Sequence, residues 1–311
     1  MDRSYSHELE FDKVLQLVAA HARTGVGRSF VLALASLPPV ELDDAAPAER
    51  TAAVRDLIEE TEPLPLAGID DALPLVANDA PPPSEPQEML ALLVLARRVA
   101  SVRRRLGQAD SERLRHFAGE LPDTEDLVQA VAPRLGRDGR IDDSASPELA
   151  RLRREMARVR AEVLAELERV RRAHRDVVTD APPTLRRERY CLPVRSSARS
   201  QLQGLVLDVS SRGATSFVEP FSVVELNNRL AAAMAGERAE IQRILREIAE
   251  LFVARRDELA AAADLLAELD SYQARALFGK AVEGTIVRPG EGRELVIRGA
   301  RHPLLDERLS K

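Results

Sequence analysis

Six arginines lie within one short segment of the chain, and this residue type is suited to binding phosphate groups. They are Arg186, Arg187, Arg189, Arg195, Arg199 and Arg212. The segment from Ala150 to Pro220 holds fifteen arginines and nine acidic residues, a net charge of +6, whereas the whole chain has a net charge of −6. Guanidinium groups form charge-assisted hydrogen bonds with phosphate oxygens. A basic segment in an acidic protein therefore predicts contacts with a nucleic-acid backbone.

Arginines on predicted helices have a simpler interpretation. Arg158 follows Glu155 by three residues, and side chains at this spacing form ion pairs on the surface of a helix. We therefore expect the helical arginines to pair with glutamates, and we assign phosphate binding to the six arginines of the predicted β segment.

Residues for catalysis or metal binding follow no recognisable pattern. Gly279-Lys280 lacks the upstream glycine and the following hydroxyl residue of a phosphate-binding loop. Acidic doublets such as Asp70-Asp71 are typical of turns, and Cys191, the single cysteine, excludes an internal disulfide and a cysteine-based zinc site. The histidines have no pair at helical spacing for a metal: they are His7, His21, His116, His174 and His302. We predict no catalytic residue, cofactor or metal in this sequence.

The composition is that of an ordinary helix-rich protein. Hydrophobic residues make up 45% and charged residues 31% of the 311-residue chain. Residues Met1 to Glu10 do not resemble a signal peptide, and no apolar run has the length needed to cross a membrane. These features lead us to expect a cytoplasmic protein without membrane association.

Two segments have the apolar spacing of long amphipathic helices. From Pro147 to about Arg175, apolar residues follow a seven-residue repeat, and Ser146 before Pro147 marks a helix start. A second such segment runs from Ser222 to about Ala263. Because a narrow apolar stripe is not stable alone in water, we predict that the two helices pack antiparallel.

Short apolar runs between the two long helices indicate a different structure. Residues 182–221 contain strand-like runs separated by Gly204 and Gly213, which predict a small β insertion. The chain ends at Lys311 directly after an apparent strand, so we expect a fragment of a longer protein. The predicted fold is mainly α with this β insertion. The predicted parts are a helical domain at 1–146, a first long helix within 147–181, the β insertion at 182–221, a second long helix at 222–263, the rest of the helical domain at 264–284 and the start of another domain at 285–311.

Several segments, in this order, resemble one protein family. They are Leu9–Leu15, Asp143–Leu149, Arg189–Arg195, Gly204–Asp208, Gly213–Pro220, Val224–Asn228 and Ala300–Leu305. Together they resemble the second branch of the bacterial MutS-type proteins, whose members are often called endonuclease MutS homologues. The resemblance spans nearly the whole chain, and its most distinctive part is the central Gly213–Asn228 region.

The resemblance implies a core domain, a two-helix lever and a β clamp, followed by the entry into an ATPase domain. Full-length members add that ATPase, with its ATP and Mg²⁺, and usually a carboxy-terminal Smr nuclease domain. They form homodimers, bind branched or junction DNA and suppress homologous recombination. The resemblance therefore implies that the chain is the nucleic-acid-engaging scaffold of an ATPase and endonuclease.

Two alternatives remain open at this point. Some members of the family bind stalled or collided ribosomes and split them, and ribosomal RNA presents the same phosphates as DNA. The long helices alone would also permit a dimerisation module without any role in nucleic-acid binding. The basic β segment argues against this last alternative.

Overall fold

The computed structural model describes residues 10–36, 45–287, 296 and 298–305. These residues form two compact units. The helical unit contains the described residues up to 132, residues 137–139 and the described residues from 248 onward, and the second unit contains 133–136 and 140–247. The helices are α1 (Phe11–Ala19), α2 (Gly25–Ala33), α3 (Ala46–Glu60), α4 (Leu73–Val76), α5 (Pro86–Gly107), α6 (Glu112–Glu120), α7 (Glu125–Val131), α8 (Pro147–Ala173), α9 (Phe221–Ala254) and α10 (Arg256–Ala281).

Helix α10 is the central helix of the helical unit and contacts α1 to α5. The buried carboxylate of Asp270 accepts hydrogen bonds from the backbone amides of Arg23 (3.0 Å) and Thr24 (2.8 Å). The side-chain oxygen of Gln273 accepts another from the backbone amide of Leu64 at 2.6 Å. Buried backbone amides need hydrogen-bond partners. Side chains of α10 supply these partners to loops that lie far earlier in the sequence. The helical unit is therefore built from two distant parts of the chain.

The second unit contains the two long antiparallel helices, which we call the lever. Helix α8 begins where the sequence predicts, and the Ser146 hydroxyl caps it by accepting a hydrogen bond from the Leu149 amide at 3.0 Å. Arg153 pairs with Glu237 at 2.7 Å, and Arg229 pairs with Glu155 at 2.9 Å. These pairs join the start of α8 to later turns of α9, as an antiparallel arrangement requires.

The second long helix is shorter than predicted. We predicted one helix over Ser222–Ala263, but α9 ends at Ala254 and α10 begins at Arg256. At Arg255 the backbone leaves the helical region (φ −114°, ψ 14°), and its guanidinium pairs with Asp126 and Glu258. Neither glycine nor proline marks this break, so the apolar repeat passes through it without a signal. The boundary between the two units lies within α9, between residues 247 and 248.

The predicted β insertion is a four-stranded antiparallel sheet. Its strands are β1 (Thr184–Arg186), β2 (Arg189–Arg195), β3 (Gly204–Val209) and β4 (Thr215–Pro220), in the order β1-β2-β4-β3. A 3₁₀ helix, Ser196–Gln201, connects β2 to β3, and the pairing of β3 with β4 is irregular between Val206 and Asp208. The structure confirms the predicted fold class, a mainly helical chain with one small β-sheet.

The inner face of the sheet packs against the lever and shares an apolar cluster with it. Leu192 and Val194 of β2 and Val218 of β4 share one apolar cluster with residues of both long helices. The helix residues in this cluster are Val159, Val163, Leu167, Val223 and Leu230. The burial of these side chains holds the sheet against the lever by the hydrophobic effect.

The predicted start of a further domain at 285–311 is described only in part. Residues 303–305 form one turn of 3₁₀ helix. The strands predicted around Pro289-Gly290-Glu291-Gly292 lie outside the described residues.

Candidate nucleic-acid interface

The sheet divides the six predicted arginines between its two ends. Strand β2 begins next to the first turn of α9 and runs to the opposite end, while β4 runs the other way. At the opposite end, Arg195 is paired with Thr215, and the amide of Ser196 donates to the carbonyl of Ala214 at 3.0 Å. We call this end the rim and the end beside α9 the joint.

Arg189 lies at the joint and is engaged within the protein. Its Nε and Nη2 donate to the two carboxylate oxygens of Glu219 at 2.7 and 2.6 Å, and Nη2 also donates to the carbonyl of Val224. Glu219 is completely buried, and only 23% of the Arg189 side chain is exposed. This bidentate pair engages the guanidinium within the protein, which argues against the predicted phosphate contact of Arg189.

Arg186 and Arg187 lie in the hairpin between β1 and β2. The guanidinium of Arg186 lies over the ring of Phe217, 4.2 Å from its centre, and 3.5 Å from the carboxylate of Asp208. Both turn residues, Arg187 and Glu188, have positive φ angles of 50° and 61°. Arg187 is exposed, whereas Arg186 is held against the sheet.

The other three predicted residues are Arg195 at the rim end of β2, Arg199 on the 3₁₀ helix that follows it, and Arg212 in the turn between β3 and β4, and we call them the rim arginines. All three are exposed. Arg195 donates to the backbone carbonyl of Asp176 at 3.1 Å. In the part of the chain that the structure describes, none of the three has a carboxylate within ion-pair distance. The rim therefore presents unneutralised guanidinium groups to solvent.

Most arginines on α8 pair with glutamates as the helix spacing predicts, whereas Arg154 and Arg160 are exposed without a carboxylate partner among the described residues. Arg151, Arg158 and Arg171 each pair with a glutamate three residues earlier, at 2.7 to 2.8 Å. These pairs lower the pKa of Glu148, Glu155 and Glu168 because each carboxylate accepts hydrogen bonds from a guanidinium. The basic charge counted along the sequence is thus largely neutralised on the helix and unneutralised at the rim.

Sequence reasoning missed two kinds of residue. Arg175, just after α8, is exposed and next to Asp176, whose carbonyl Arg195 contacts, so it belongs to the rim surface. Glu219 and Asn227 at the joint were also missed, although both lie in the most distinctive segment of the sequence. Glu219 is 0% exposed and Asn227 is 1% exposed, and no local sequence pattern indicates this burial.

The rim can bind anions but has no groups for cleaving them. A guanidinium without a neighbouring carboxylate is free to bind a phosphate, and such contacts depend on charge more than on base sequence. Among the described residues there is no cluster of three or more histidine, cysteine, aspartate or glutamate side chains that could hold a metal ion. The same part of the chain contains no helix long and apolar enough to span a membrane.

Fold and site together define a helical protein with a small sheet, basic at its rim, on a two-helix lever. No family model matches the chain. It is 31% identical over 310 residues to an endonuclease MutS2 of Thermotoga maritima and 34% identical over 299 residues to one of Thermus thermophilus. A third, from Halalkalibacterium halodurans, is 39% identical over 202 residues, 64% of the chain.

The first two of these matches extend over 97% and 96% of the chain. The chain is a homologue of the amino-terminal part of the proteins named endonuclease MutS2. This confirms the resemblance to the second branch of the MutS-type proteins. The chain spans 39% of the length of each of these two relatives.

Proposed function

We propose that the rim arginines bind the phosphates of branched DNA, and that the chain serves as the DNA-engaging scaffold of a MutS-type protein that suppresses homologous recombination. One observation supports this above the others. The exposed guanidinium groups of Arg199 and Arg212 have no carboxylate partner among the described residues, whereas Arg189 at the joint and Arg151, Arg158 and Arg171 on α8 are paired. Unpaired charge concentrated at one end of a sheet is typical of a backbone-binding surface.

Two observations favour a nucleic acid as the partner, and we propose DNA. The chain's relatives are named endonucleases, and such enzymes act on nucleic acids. The rim segments 195–199 and 210–215 contain arginine, serine, threonine, alanine and glycine and no aromatic side chain, so binding rests on phosphates and is largely independent of sequence. We further propose that a protein of the relatives' full length forms a homodimer in which two levers hold one junction. ATP and Mg²⁺ would bind such a protein outside the described residues.

The test compares one charge change at two places. Arg195→Glu, Arg199→Glu and Arg212→Glu together remove the rim charge. Arg151→Glu, Arg158→Glu and Arg169→Glu change the net charge equally, but on paired residues of α8. Binding of a labelled four-way junction, a matched duplex and an RNA hairpin is measured for the whole chain at 50 and 200 mM salt.

We expect the rim variant to lose junction binding and the α8 variant to keep most of it. Replacing the rim arginines with glutamine should flatten the dependence of log K on log salt by about 0.9 for each lost phosphate contact. Equal loss in both variants would contradict a localised interface. Binding of the RNA hairpin in preference to both DNA ligands would replace DNA with ribosomal RNA as the partner, and binding of none of them would overturn the proposal.

A further inference from the structure

Asn227 connects the sheet to the lever through every polar atom of its side chain. On the second turn of α9, its oxygen accepts from the amide of Tyr190 at 3.1 Å. Its nitrogen donates to the carbonyl of Tyr190 at 3.0 Å and to Glu219 at 2.8 Å. Only 1% of Asn227 is exposed. One side chain thus connects α9 with both central strands, β2 and β4.

Glu219 completes this connection from the sheet. Its carboxylate is fully buried and accepts two hydrogen bonds from Arg189 as well as the one from Asn227. A buried charge is tolerated only when its partners are well placed, so the three side chains depend on one another. Strand β4 ends at Pro220 and α9 begins at Phe221, so no flexible linker separates them.

The position of the rim depends on this connection between the sheet and α9. Strand β2 starts at Arg189 in the joint and ends at Arg195 in the rim, and at about 3.3 Å per residue it is roughly 20 Å long. A tilt of about 10° at the joint would then displace the rim by about 3.5 Å, which exceeds the roughly 3 Å length of a hydrogen bond to phosphate. Simultaneous contact by several arginines therefore requires a sheet held in one direction, and the joint acts here together with the apolar inner face and the backbone bonds of β2 to Val177 and Thr179.

We propose that Arg189, Glu219 and Asn227 are positioning residues for nucleic-acid binding. They fix the direction of the sheet on α9, so that the rim arginines reach phosphates of the same ligand together. This inference rests on the proposed function of the rim. It also gives a physical role to the segments that resemble the MutS family, because all three residues lie within them and are bonded to one another.

The first experiment measures orientation directly. In a Cys191→Ser background, spin labels are placed at Ser197→Cys beside the rim and at Ala239→Cys on α9, both exposed positions of the second unit. The distribution of distances between the labels is measured with intact Asn227, with Asn227→Ala, and with Asn228→Ala as the control at the exposed neighbouring residue. We expect a narrow distribution that Asn227→Ala broadens and Asn228→Ala leaves unchanged. An unchanged distribution in Asn227→Ala overturns the inference.

The second experiment measures binding of the four-way junction by the whole chain at a temperature where each variant is folded. We expect Asn227→Ala to bind at least tenfold more weakly and with a flatter salt dependence, although every rim arginine is intact. A folded Asn227→Ala variant with unchanged affinity and salt dependence overturns the inference. If Asn227→Ala does not fold, Arg189→Lys retains the charge but loses the bidentate geometry, and the same criteria apply to it.

The rim variants separate the two proposals. If the rim Arg→Glu variant still binds the junction, the proposed function is wrong. If that variant loses binding and the joint variants do not, only the positioning role is wrong.

Discussion

The joint and the rim are two ends of the same sheet, and arginine has opposite roles in them. At the joint, Arg189 pairs with a carboxylate that has no exposure to water. At the rim, Arg199 and Arg212 are exposed and have no carboxylate partner in the described part of the chain. The comparison teaches that the role of an arginine in this sheet is decided by the presence of a buried acidic partner.

The largest expected effect comes from removing the acidic partner. Glu219→Gln leaves the Arg189 guanidinium without a counter-charge in the joint, and breaking such a buried pair costs about 3–5 kcal/mol of unfolding free energy. The matched control is Glu188→Gln, because Glu188 pairs with Arg238 at 3.2 Å on the surface. We expect the control to cost less than about 1 kcal/mol. Urea denaturation followed by circular dichroism measures both, and similar losses would contradict the distinction between joint and surface.

The single cysteine offers a chemical test of the same distinction. Cys191 is fully buried beside the joint, and burial raises the pKa of its thiol to about 11. Because the thiolate is the reactive form, only about one thiol in a thousand is ionised at pH 8. We expect reaction with a disulfide reagent to be at least 100-fold slower than that of Ser197→Cys near the rim, made in a Cys191→Ser background. Fast reaction of Cys191 in the folded chain would contradict a closed joint.

A smaller effect is expected at the hairpin turns. The turn beside the joint places Arg187 and Glu188 at positive φ, whereas the β3–β4 turn at the rim has Gly213 at φ 70°. Positive φ at both central residues favours Asn-Gly, so Arg187→Asn with Glu188→Gly should stabilise the chain by about 1 kcal/mol. Gly213→Ala should destabilise it by a similar amount. A less stable double variant in the same urea measurement would mean that the turn residues make contacts that outweigh their strain.

The architecture could be predicted from the sequence because it depends on local patterns. The seven-residue repeat predicts α8, and Leu149, Leu152, Val159 and Val163 are buried as it requires. The short apolar runs separated by Gly204 and Gly213 predict the sheet. The break at Arg255 could not be predicted, because it is stabilised by Asp126, a residue far away in the sequence.

The sequence predicts which residues form the candidate site, but it does not predict which partners they have in the folded chain. Charge and spacing identify the arginines, and the structure leaves three of the six at the rim. The difference between Arg189 and Arg195 is the position of Glu219, which the antiparallel pairing of β2 with β4 places at the joint end of the sheet, near Arg189 and far from Arg195. A register is a long-range property, so no local count of charges contains it.

The contact between Leu64 and Gln273 has a consequence for synthesis of the chain. These residues are 209 positions apart, and ribosomes add about 5–20 residues per second. About 10 to 40 s therefore pass between the synthesis of Leu64 and the synthesis of Gln273. Over the same interval residues 140–247, which include the lever and the sheet, leave the ribosome as one continuous segment. The insertion can thus be complete before the unit that flanks it, and the early helices are the part of the nascent chain that most needs protection from aggregation.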